Sequence, residues 1–98
     1  MKRYALDGAL LTETPEVEVG DKIYKVDNRT SNVNRLQEIR QDDKSALLEV
    51  AFGKQAAQEI MALDMPFPAM KELLLITTAA MTGETVEEVR SRFHSALV

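Results

Sequence analysis

The 98 residues contain no cysteine and no tryptophan, one histidine, three prolines, and only three phenylalanines and two tyrosines. Without cysteine there is no disulfide, no thiolate metal site and no thiol nucleophile. Nothing therefore calls for an oxidising compartment, where small domains commonly depend on disulfide staples. His94 is the single imidazole, and as a general base or metal ligand it would need partners. Glu87 and Arg90 are the residues within helical reach, and neither spacing is a recognised ligand pair, so His94 reads as an ordinary surface histidine. Long apolar runs are also missing. The longest, 73–76, falls far short of the ~20 residues that span a bilayer. The start Met1-Lys2-Arg3-Tyr4 is basic but has no apolar stretch before Asp7 and Glu13, so no signal peptide is expected and the cytoplasm is the expected address.

Positive charge is in short supply too, 12 Lys and Arg against 16 Asp and Glu, for a formal charge of −4. Nucleic-acid binders draw most of their affinity from cations on phosphate, so that class is disfavoured. The local pairs Lys2/Arg3 and Arg90/Arg92 have carboxylates close by in sequence and read as solvated faces.

What is present suffices for one small globular domain. The apolar share is 45% and the charged share 29%, enough to offset ordering entropy along most of the chain. With few aromatics, Met and Leu must fill much of the interior, and Met packs adaptably in cores and binding surfaces alike.

The clearest local pattern is Glu16-Val17-Glu18-Val19-Gly20-Asp21-Lys22-Ile23-Tyr24-Lys25-Val26. Alternation with period two puts Val17 and Val19 on one face, with Ile23 and either Val26 or Tyr24 on the partner strand. Gly20-Asp21 is a glycine-first pair suited to a tight hairpin turn. Tyr4 to Thr12 is a weaker run that offers a third strand, which matters because a lone hairpin is marginal in water.

Beyond a polar turn at 27–32, apolar residues recur at helical spacing. Val33, Leu36 and Ile39 predict a helix over about 32–41. Asp43 predicts the cap of a second helix carrying Ala46, Leu47, Val50 and Ala51. Gly53 is read as a break before a third helix over 54–63, which ends at Pro66-Phe67-Pro68. A fourth begins at Pro68 or Ala69 with Met70, Leu73, Leu74, Thr77 and Met81 on its apolar face. Leu75, Ile76 and Ala79 widen that face almost all round, which suits the centre of the fold or an interface. Thr82-Gly83 closes it, and Thr85-Val86-Glu87-Glu88 reads as a capping box for the last helix. The expected fold is α+β: an N-terminal hairpin region, 1–27, then four to five short helices packed as a bundle over 32–98, in a single domain.

Enzymatic constellations are thin. Asp42-Asp43 and Glu87-Glu88 are neighbours that point to different sides of a helix, unlike a shared-proton dyad. The oxygens of 27–32 lack the glycine and closing Glu of a calcium loop. Gly20 and Gly53 belong to no phosphate-binding loop, and no serine sits in an activating elbow. No enzyme activity and no cofactor are expected. What remains is apolar surface around the Pro-Phe-Pro frame. Either Phe67 caps the core between helices, or Met61, Met65, Phe67, Met70 and Leu74 form a patch that accepts a partner helix.

The stretch Ala46-Leu47-Leu48-Glu49-Val50-Ala51-Phe52-Gly53-Lys54-Gln55-Ala56-Ala57-Gln58-Glu59-Ile60 resembles the small tail assembly chaperones of long-tailed bacteriophages and prophages. In that group a helix ends at a Phe-Gly-type step before an Ala-rich helix. Leu63-Asp64-Met65-Pro66, the central apolar helix and Thr82-Gly83-Glu84-Thr85 are similar as well, so that the likeness spans about half the chain. The resemblance implies a non-enzymatic helical protein of the bacterial cytoplasm, often self-associating, that coats the tape-measure protein during tail assembly. The expected partner is therefore a protein, tape-measure or another tail component, with no nucleic acid and no membrane. A generic adaptor or regulatory subunit is the alternative reading, and a small DNA-binding regulator a weaker one.

Overall fold

The computed structural model describes residues 3, 5, 6, 8, 13–40 and 43–97, the side chains of 93–97 excepted. Two strands, β1 (Glu16–Val19) and β2 (Lys22–Lys25), form a hairpin. Five helices follow: α1 (Thr30–Gln37), α2 (Lys44–Phe52), α3 (Lys54–Ala62), α4 (Phe67–Thr82) and α5 (Val86–Leu97). The fold is α+β, as the patterning predicts. The run from Tyr4 to Thr12 lies outside the described residues except for Ala5, Leu6 and Gly8, and among the described residues the sheet has two strands.

The hairpin turns at Gly20, whose φ of +66° a side chain would resist, while Asp21 keeps a negative φ. Positive φ at the first turn position alone is the type II′ pattern, whose twist matches that of the strands. The register pairs Val17 with Tyr24 and Glu18 with Ile23. Val17, Tyr24 and Val26 are buried, and Val19 is half-buried. Ile23 is not on the covered face: it is paired with Glu18 on the outer side and 60% exposed. Lys22-Ile23-Tyr24-Lys25-Val26 has apolar residues in both phases of the alternation, and pairing with Val17 decides which phase turns inward.

Helix α1 starts two residues earlier than the spacing suggests. Asn32 belongs to its first turn and is buried. Asp43 caps α2 by accepting a hydrogen bond from the Ala46 amide at 3.1 Å. Gly53, at φ +94° and ψ 162°, separates α2 from α3 and ends the first helix as the sequence predicts. Asp64, at φ +48°, turns the chain after α3. Pro68 fits the first turn of α4, where its missing amide hydrogen has no helical partner anyway. Gly83 closes α4 in the left-handed conformation. The capping box is present in full: Glu88 N donates to Thr85 Oγ1 at 3.1 Å, and Thr85 N donates to Glu88 Oε1 at 3.2 Å.

Helix α4 is central, touching β1, α2 and α5. Met70, Leu73, Leu74 and Met81 join the main core with Val17, Tyr24, Val26, Leu47, Leu48 and Ile60. Leu75 and Ala79 point elsewhere, into a second, smaller cluster with Val89 and Val86 of α5. Serving two cores is why α4 is apolar almost all round. Each fully buried Leu or Ile contributes roughly 1.5–3 kcal/mol through removal from water, and Leu48 and Ile60 are among the fully buried.

Candidate partner-binding surface

The chain passes from α3 to α4 through Leu63-Asp64-Met65-Pro66, and this turn carries the most concentrated apolar exposure among the described residues. Phe67 is 60% exposed, Leu63 57% and Met61 40%. Leu63 and Phe67 are four positions apart, so even a fully extended chain would hold their Cα atoms within about 14 Å. Met65 lies between them, half-buried against the main core. A proline at each side of Phe67 fixes where the ring begins on α4. Pro66 holds an extended backbone at φ −54° and ψ 146°, and the helix starts immediately after it.

Met70 and Leu74, expected in the same patch, face inward. They are 7% and 6% exposed and belong to the main core. About one helical turn separates Phe67 from Met70, and over that turn the helix enters the protein, with Lys71 and Ile76 exposed further along it. The exposed apolar residues around this turn are therefore Met61, Leu63 and Phe67, while Met65 packs partly against the main core. Phe67 does not cap the core. Leu63 ends α3 with helical backbone angles, φ −67° and ψ −19°, and Asp64 then turns the chain.

Two cations complete the surface. Lys44 Nζ sits 5.0 Å from the centroid of the Phe67 ring and Lys71 Nζ 5.9 Å. Both distances suit attraction of an ammonium to the negative face of the ring. Lys44 comes from the first turn of α2, twenty-three positions earlier, a proximity that only the tertiary fold creates. Neither lysine has a carboxylate within ion-pair distance among the described residues. Lys22 pairs with Glu59 at 2.8 Å, Arg90 with Glu72 at 2.8 Å and Arg92 with Glu84 at 2.6 Å. The N-terminal turn of α4 adds to this positive character, having no acidic residue and no side-chain cap.

A shallow open cleft of about 510 Å³ lies elsewhere, between the 27–32 segment and the end of α2. Lys25, Arg35 and Glu49 line it, together with Arg29, which donates to Asp27 at 2.9 and 2.7 Å and holds that carboxyl below its ordinary value. Its buried polar side chain, Asn32, commits its amide hydrogens to main-chain carbonyls. Among the described residues no three His, Asp or Glu side chains gather closely enough to hold a metal ion. The imidazole of His94 lies outside the described side chains. No helix among the described residues is long and apolar enough to cross a membrane.

Comparison with protein-family models, with curated proteins and with solved structures finds no match to this chain.

Proposed function

We propose that this chain is a non-enzymatic protein-binding module, an assembly chaperone of the phage tail kind, whose contact surface centres on Phe67. The observation that carries the reading is the exposure of Phe67, Leu63 and Met61 around one turn. Large apolar side chains grouped at one surface point mark a contact site more often than chance exposure does. A partner helix that lays apolar residues against Leu63 and Phe67 would remove both from water. The helix–Phe-Gly–helix likeness in 46–60 names the tape-measure protein as that partner, bound while tail assembly proceeds.

The test is co-purification of the chain with the tape-measure protein of its own genome, comparing wild type with Phe67→Ser. Wild type is expected to bind at micromolar concentration and F67S to lose binding at an unchanged melting temperature, since an exposed ring adds little to the core. Equal binding by the two proteins would move the site away from Phe67. Absence of wild-type binding would reject the tail-chaperone reading, and an adaptor or regulatory subunit would then be the better account of the same surface.

A further inference from the structure

We infer that the partner segment seated on Met61, Leu63 and Phe67 is an acid-flanked amphipathic helix, selected by Lys44 and Lys71. The inference rests on the protein-binding reading above and adds the charge of the occupant to it.

The chain is acidic as a whole, −4, yet two lysine ammonium groups lie 5.0 and 5.9 Å from the centre of the exposed ring. Their stems reach the ring from different helices, α2 and α4, so the ring is bracketed by positive charge. Asp42, Asp43, Asp64 and Glu72 lie near them in sequence, and Glu72 is held by Arg90 at 2.8 and 3.1 Å. Asp43 accepts the Ala46 amide as the cap of α2, and Asp64 occupies the left-handed turn. At the start of α4 the Ala69 and Met70 amides donate to the Pro66 carbonyl and Pro68 has no N–H, so this helix end contributes its dipole and not a set of free donors. An approaching Glu or Asp thus finds two ammonium groups and a helix N-terminus around an apolar centre. A Lys or Arg on the approaching helix would meet repulsion from the same groups. Such surrounding charges govern specificity and encounter rate more than raw affinity.

A single nucleic-acid strand is the competing occupant, since bases stack on exposed aromatic rings beside cations. The surface favours a helix. Leu63 and Met61 extend the contact with aliphatic surface that offers no stacking plane, and the negative whole-chain charge opposes a polyanion.

The experiment uses three probes on the full chain: a helical peptide with a Leu stripe flanked by Glu, the same stripe flanked by Lys, and a single-stranded oligothymidine. Binding is followed by titration and by the ring resonances of Phe67. The Glu-flanked peptide is expected to bind roughly tenfold more tightly than the Lys-flanked one, as two exposed ion pairs turned from attractive to repulsive would give. Raising salt should shrink that preference. K44E/K71E should reverse it, and K44Q/K71Q should abolish it; both lysines are at the surface, and circular dichroism and thermal melts confirm that each variant keeps the fold. Equal binding of the two peptides, lost in F67S, overturns the acid-flank inference and leaves the protein-binding reading standing. Binding of the oligonucleotide alone, or no perturbation of Phe67 by either peptide, overturns both.

Discussion

Asn32, buried in the first turn of α1, donates its side-chain amide to the main-chain carbonyl of Val50 near the end of α2, and also to that of Asp27 at 2.9 Å. The last carbonyls of a helix have no partner inside it. Here Val50 is served by Asn32, Ala51 by the Asp27 amide at 2.9 Å, and Glu49 by the Gly53 amide at 2.9 Å. The segment leaving the hairpin therefore acts as the C-terminal cap of α2, and the edge-to-face contact of Tyr24 with Phe52, 5.8 Å between centroids, lies beside it. Asn32→Leu is expected to destabilise the fold by about 1–3 kcal/mol, because it leaves buried carbonyls without donors. Chemical denaturation checks this, with Ser31→Ala, at an exposed neighbour, as the near-neutral control.

That clasp also marks the limit of what patterning alone can reveal. Asp43, Gly53, Gly83 and the Thr85–Glu88 box are legible because each acts on amides or carbonyls within four residues of itself. Asn32 looks like another cap residue in a polar turn, and only the arrival of α2, eighteen positions later, makes it a bridge. Ile23 points outward because pairing with Glu18, not its own hydrophobicity, fixes its side of the sheet. The binding patch divides the same way. Phe67 was identifiable from its proline frame, whereas Lys44 is brought to it by the packing of α2 near α4. Met70 and Leu74 fit helical spacing from Phe67, but spacing cannot say at which turn a helix goes under.

Thr77 is fully buried in α4 with a hydroxyl that has no hydrogen-bond partner, whereas its neighbour Thr78 donates to the Leu74 carbonyl at 2.9 Å. A buried hydroxyl without a partner carries its desolvation penalty uncompensated. Thr77→Val keeps the shape and removes the polar atom, so it is expected to stabilise the protein by about 1 kcal/mol. The corresponding rise in melting temperature is about 4–8 °C for a domain of this size. Thr78→Val is expected to give no such gain, since it removes a satisfied group.

Gly53 and Gly83 both take positive φ, yet they should respond differently to alanine. Gly83, at φ 79° and ψ 5°, lies near the left-handed helical well, where a side chain costs roughly 1 kcal/mol. Gly53, at φ 94° and ψ 162°, sits in a region that is essentially glycine's alone, and a side chain there costs about 1–3 kcal/mol. An added Cβ meets no atom within 4 Å at either position, so the difference is one of backbone strain and not of crowding. Thermal melts of G53A and G83A should show the larger loss for G53A.

Helix α5 is held by a small cluster and by charge, so its docking is expected to respond to acid. Its described apolar contacts are Val89 and Val86 against Leu75 and Ala79 of α4. Arg90 grips Glu72 through both terminal nitrogens, at 2.8 and 3.1 Å, and Arg92 grips Glu84 at 2.6 Å. Hydrogen bonds from Arg90 lower the pKa of Glu72 below its ordinary 4.5, and those from Arg92, then Thr82, do the same for Glu84. Both carboxylates therefore bind protons more weakly when α5 is docked than when it is free. Their contribution is complete above the undocked value near 4.5 and is lost as pH falls through the lowered ones. Amide exchange of 89–92 should accelerate below that pH, and in high salt at neutral pH, before the main core around Leu48 loses protection. Glu72→Gln should remove most of the acid sensitivity at this helix, and unchanged exchange in that variant would shift the explanation to Glu84.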